Sequence, residues 1–212
     1  MGKSNNGMKI HRNGQVGRIV GYTVRGNDLW RSLASNHNDA RSDAQLLQRA
    51  RLAFVTVFIH SIGDIYKAGY HHYNTSKSQR ANFFRQIYRN ALSGNLIDGF
   101  TIDFSKVLVS RGNLTPAHSI AASVTPATQT ATISWSDNSG VGDAKADDRL
   151  LYCIYNATKH TNVFSDNAAT RAAETASATY PADWAGDTIY IYAAWTSSTA
   201  ESDSKLLGLF TA

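Results

Sequence analysis

The side chains that could do chemistry are few and scattered. Of the seven histidines, His11, His37, His60, His118 and His160 stand far apart along the chain. His71 and His72 are adjacent, so on any regular element they point in different directions. With no third ligand at metal-site spacing, no metal centre is expected there. The single cysteine, Cys153, lies in the apolar run L-L-Y-C-I-Y, where a thiol is expected to be buried and inert. A hydrolase needs a nucleophile with a base in reach, and no G-x-S-x-G elbow occurs. Asp98 and Asp103 lack a carboxylate partner for acid–base work. The run D-N-S-G-V-G-D-A-K-A-D-D, Asp137 to Asp148, lacks the spacing and terminal Glu of an EF-hand loop, and a solvated loop is expected. No catalytic residue and no cofactor emerge, so a non-enzymatic protein is expected.

Arginine is the chemistry that the chain does supply. Arg12, Arg18, Arg25 and Arg31 recur through a glycine-rich start, interleaved with Tyr22 and Trp30. Arg41, Arg49 and Arg51 crowd the start of a helical pattern. Guanidinium groups among aromatic rings suit an anionic partner such as nucleic acid. The same seven residues would equally serve as contacts with other protein subunits. From Met1 to Gly112 there are 16 Lys and Arg against 6 Asp and no Glu, a net +10. From Asn113 to Ala212 there are 5 against 10, a net −5. Opposite signs give the halves different partners, or draw the two halves to each other, or draw neighbouring copies together head to tail.

The elements that must position these residues follow from periodicity. Ser42 to Ile62 is the strongest helix pattern. Ser42 and Gln45 fit a capping box, and Leu47, Ala50, Phe54, Val57 and Phe58 recur at helical spacing. A second helix is expected from Ser78 to Leu92, with Ser76 and Gln79 as its capping box, Phe83, Phe84, Ile87, Tyr88 and Ala91 as its apolar face and Gly94 as its stop. Arg80, Arg85 and Arg89 lie on its other side. Before the helices, Asn13-Gly14 and Arg25-Gly26-Asn27-Asp28 read as turns of a hairpin or meander. Val16, Arg18, Val20, Tyr22 and Val24 are expected on one side of it. After the helices, Phe100, Ile102 and Phe104 alternate as a half-buried strand.

From about Leu114 the pattern changes to short strands. They are expected at His118–Thr125, Ala131–Ser136, Arg149–Ala157, Thr161–Phe164, Thr170–Tyr180, Thr188–Thr196 and Lys205–Thr211. Seven short strands in about a hundred residues is the count of an immunoglobulin-type sandwich. The reading is therefore an α+β module over residues 1–113, a meander plus two helices, and an all-β sandwich over residues 114–212. A chain of 212 residues that is 42% apolar can bury an ordinary core. The start shows no secretory h-region, and the apolar run Leu52–Ile59 is too short to span a bilayer. Membrane insertion is not expected. A bacterial cytoplasm or a virion is.

The second half resembles a fibronectin type III domain. Thr132-Ile133-Ser134-Trp135 is similar to that family's second strand with its core tryptophan, and Tyr190-Ile191-Tyr192-Ala193-Ala194 to its penultimate strand. The family's cell-adhesion tripeptide is absent. The whole chain also resembles a family of uncharacterised bacterial proteins, a domain of unknown function found chiefly in Bacteroidota and their phages or prophages. The residues that carry this are Gly14, Gly17, Gly21, Gly26 and Arg31, then Gln45 and Arg49, then Ser110-Arg111-Gly112-Asn113-Leu114 and Trp135-Ser136-Asp137. This resemblance implies a layout and no activity. The expected function is a structural or assembly protein, a virion or prophage component built from many copies and binding other protein subunits as a homo-oligomer or larger assembly. The alternative is a nucleic-acid-binding protein that uses its basic half.

Overall fold

A computed structural model describes residues 2–3, 14–33, 41–73 and 76–212. The fold is mixed and mostly β, with several sheets and a few helices, as an α+β reading requires. It forms two compact units, Met1–Ser42 and Asp43–Ala212. No helix among the described residues is long and apolar enough to cross a membrane.

The first unit is an antiparallel sheet of β1 (Gly2–Lys3), β2 (Gly14–Val16), β3 (Ile19–Val24) and β4 (Asn27–Ser32), in the order β1-β4-β3-β2. The turn expected over Arg25-Gly26-Asn27-Asp28 is confined to Arg25-Gly26, and Asn27 and Asp28 open β4. Arg25 and Gly26 are left-handed, with φ of 51° and 77°, which is what a two-residue hairpin turn needs to match the strand twist. The turn expected at Asn13-Gly14 lies partly outside the described residues. Gly14 opens β2, and the chain reverses at Gly17-Arg18; Asn13 lies outside the described residues. The register pairs Val16 with Ile19. Trp30 stands opposite Gly21 on one neighbour and Gly2 on the other, and Gly21 stands opposite Gly14. Trp30 is thus flanked by strands without side chains at its own level.

The second unit begins with α1 (Asp43–Ser61), α2 (Ile65–Gly69) and α3 (Gln79–Gln86). Helix α3 runs on as a π-helical turn, Ile87–Ala91, straight into a hairpin of β5 (Leu92–Asn95) and β6 (Gly99–Ile102). Gly94 is therefore a strand residue and not a helix stop. Its φ is 99°, and a Cβ there would meet the Gly99 carbonyl oxygen at 2.1 Å. The cap of α3 is Ser78, whose hydroxyl accepts from the Ala81 N–H, and not Ser76. On α1 the buried stripe is Val55, Phe58 and Ile59, continued by Ile62 just beyond its end. Val57, expected on the apolar face, is 69% exposed.

Seven strands follow: β7 (His118–Thr125), β8 (Thr130–Ser136), β9 (Arg149–Asn156), β10 (Thr161–Ser165), β11 (Thr175–Thr179), β12 (Thr188–Thr196) and β13 (Lys205–Thr211). They make one sheet in the order β10-β9-β12-β13 and another in the order β11-β8-β7. Between them lies a core of Ile133, Trp135, Leu150, Ile154, Ile191 and Trp195. The opposite face of β9 and β12 is apolar as well: Leu151, Cys153, Tyr155, Tyr192 and Ala194 pack with Phe58, Ile59, Ile62, Phe83 and Ile87 of the helical layer. A strand covered on both faces reads as a continuous apolar run, and every residue of β9 from Leu150 to Asn156 is buried. This is why the compact units divide after Ser42, although the composition shifts near residue 113. The helices fill the second face of the central sheet.

Candidate functional site

Six of the seven predicted arginines are described, and they are spread over both units. Arg12 lies outside the described residues. Arg18 and Arg25 occupy the turns at opposite ends of β3, about 20 Å apart for a six-residue strand. Arg31, exposed on β4, stands opposite Val20. Arg41 precedes α1 with a φ of 43°. Arg25, Arg41 and Arg49 are each already engaged in an interaction. Arg51, half-buried on α1, has its guanidinium 5.6 Å from the centre of the Tyr88 ring, a cation–π contact. The second unit thus uses Arg51 for packing.

A different set of arginines converges. A cavity of about 270 Å³ is lined by Arg85, Arg89 and Arg111 with Asn82, Gln86, Asn90 and Tyr73. Arg85 lies in the last turn of α3, and Arg89 and Asn90 in the π-helical turn after it. Such wide turns re-aim side chains and recur at functional sites. Arg111 comes from the segment Val107–Leu114. Gln86, buried at the end of α3, fixes that segment: its Nε2 donates to the Lys106 carbonyl (2.7 Å) and its Oε1 accepts from the Leu108 N–H (3.4 Å). Tyr70 donates to the Leu108 carbonyl (2.8 Å). The Arg111 N–H donates to the carbonyl of Gly69 (2.9 Å), and the Arg111 guanidinium lies 5.1 Å from the Tyr73 ring centre.

Two glycines make this approach possible. A Cβ on Gly69 would stand 2.2 Å from the Val109 carbonyl oxygen, and one on Gly112 would stand 2.0 Å from that of Glu201. On its far side the segment is stitched to the loop before β13. The Val109 N–H donates to Ser204 Oγ (2.9 Å), Ser110 Oγ to the Ser202 carbonyl (2.8 Å) and the Gly112 N–H to Asp203 (3.0 Å). Burial raises the Tyr70 hydroxyl well above its ordinary pKa, and the positive Arg111 nearby offsets part of the rise.

The neighbouring loop carries the pair that the sequence reading set aside for want of a third ligand. His71 Nδ1 lies 3.1 Å from His72 Nε2, and two ligands on one tetrahedral zinc stand about 3.3 Å apart. Glu201, buried and 129 residues away in sequence, accepts from the His72 N–H (2.7 Å) and lies 2.9 Å from His72 Nδ1. The three residues are close enough to hold a metal ion. The two contacts with Glu201 fix the His72 ring against it.

Two other sequence readings meet structural answers. Cys153 is fully buried, and burial pushes its thiol up to about 12. Asp148, expected in a solvated loop, is buried against Arg171 with N–O distances of 3.0 and 3.1 Å. Arg171 also donates to Asn138 (2.6 Å) and to the Thr115 carbonyl (2.9 Å), and its guanidinium lies 4.5 Å from the Trp195 ring centre. This cluster is a structural lock of the β core.

No curated protein matches the chain. The sequence profile of a family of unknown function, DUF6266, matches residues 10–206. That span takes in three of the four strands of the glycine-rich sheet, the helical layer, the S-R-G-N-L junction that carries Arg111 and most of the seven-strand part, and the chain belongs to this family.

Proposed function

We propose that this chain is a non-enzymatic structural or assembly protein, a virion or prophage component that works as one copy among many. The observation that carries the reading is the state of the first unit. Among its residues 14–33, no described side chain is buried, and Ile19, Val24 and Leu33 are close to half exposed. Small sheets gain stability by covering an apolar face. Exposed apolar residues on such a sheet offer that cover to another molecule. The occupant we assign is a second copy. Met1–Ser42 carries 7 Lys and Arg against 2 Asp, and residues 113–212 carry the −5 excess, so the two regions attract between copies. The strand orders of the two facing sheets support a fibronectin III-like sandwich, a common binding module, as the appended half.

The test is light scattering after size exclusion on the full chain, at low and high salt, with and without single- and double-stranded DNA. The expected result is a defined oligomer without DNA, which Trp30→Ser shifts towards the monomer. A monomer that gains mass only with DNA, and loses it at high salt, would replace assembly by nucleic-acid binding.

A further inference from the structure

We infer that the cavity between α3, the π-helical turn and the Val107–Leu114 segment is a binding site for a phosphoryl-type oxyanion. It lies wholly in the second unit and does not rest on assembly through the first. Arg85, Arg89 and Arg111 bring three permanent positive charges to one concavity. Among the described residues no carboxylate lines it, and none of the three arginines has an ion-pair partner. Arg85 and Arg89 are four residues apart on one helical run, a spacing at which like charges repel. An anion between them removes that repulsion.

The donors are also held in place. Arg111 lies over Tyr73, and its backbone is tied to Gly69. A guanidinium stacked by its face keeps the N–H donors at its edge for in-plane bonds to oxygen. Asn90, exposed at the rim, adds an amide donor. Gln86 spends both ends of its amide on the segment, so it holds the wall and is not a ligand. A carboxylate presents two oxygens and one charge. A phosphoryl group presents three or more oxygens and up to two charges, which is the better match to three guanidinium forks. The volume of about 270 Å³ falls just under the roughly 300–1,000 Å³ of pockets that swallow drug-sized molecules. The site therefore fits a small phosphate compound, or the phosphate of a larger one whose body stays outside.

Calorimetric titration of the full chain at low salt tests this with four probes: inorganic phosphate, pyrophosphate, a nucleoside monophosphate and a single-stranded oligonucleotide. One equivalent of at least one probe is expected to bind. Arg85→Ala and Arg89→Ala, both at exposed positions, are expected to weaken it by about tenfold or more each while leaving the thermal midpoint in place. Lys145→Ala, an exposed cation on the seven-strand part, should change nothing. Preference for a free phosphate compound identifies a small ligand, and preference for the oligonucleotide identifies a nucleic-acid backbone. Absence of binding by all four probes in the millimolar range, or equal weakening by Lys145→Ala, overturns the assignment.

Discussion

At the scale of single residues, the second unit stakes most on Arg171. Its side chain is fully buried, with an ion pair to Asp148, bonds to Asn138 and Thr115, and a ring contact with Trp195. Arg171→Met would leave the buried Asp148 carboxylate without its counter-charge, and breaking such a pair costs about 3–5 kcal/mol. Urea unfolding should show that loss, and a second change of Asp148→Leu should recover part of it. Cys153 gives a pH prediction. Burial raises its thiol from the ordinary 9.0 to about 12. Above pH 9 the unfolded chain releases this proton while the native chain keeps it, so the native state binds more protons and stability falls as pH rises towards 12. Tyr70, also raised by burial, acts in the same direction from 10 upwards. Urea midpoints at neutral and strongly alkaline pH should fall in that order, and the native thiol should resist modification until the chain unfolds. The burial of Cys153 was legible from its apolar run. The Arg171–Asp148 lock was not, because 23 residues and a loop separate the partners, and sequence spacing carries no trace of that contact.

At the scale of elements, most of the strands of the second half were legible, since alternation and turn chemistry are local. The burial of α1 was only partly so. Its pattern gave a helix, but the choice between Val57 and its neighbours Val55 and Ile59 depended on the direction from which the sheet approached. Arg85 and Arg89 were visible as the polar side of a helix. They became half of a site only when Gly69 let the Val107–Leu114 segment bring Arg111 beside them. Gly69→Ala separates the two demands on that position. Helix propensity alone would favour alanine by about 1 kcal/mol, but the added Cβ meets backbone 2.2 Å away, and overpacking of that kind costs about 1–3 kcal/mol. A lower thermal midpoint is expected, measured by calorimetry, together with weaker oxyanion binding as Arg111 is displaced.

At the scale of the whole molecule, the charge asymmetry read from the sequence marks the first unit and the helical layer as basic and the strands after residue 113 as acidic. What could not be read was that this helical layer and the β9–β12 sheet are one body. The apolar side chains on both faces of β9 were visible, but their second cover lay about a hundred residues upstream. That double cover bears on how the protein opens. Backbone amides of β9 and β12 are shielded by pairing on both edges, by the facing sheet and by the helices, so no local fraying exposes them. Their hydrogen exchange should be the slowest in the chain and should report the free energy of global unfolding. A fragment cut at residue 113 would lose the helical cover, leave Leu151, Tyr155 and Tyr192 open to water, and stick to its own kind.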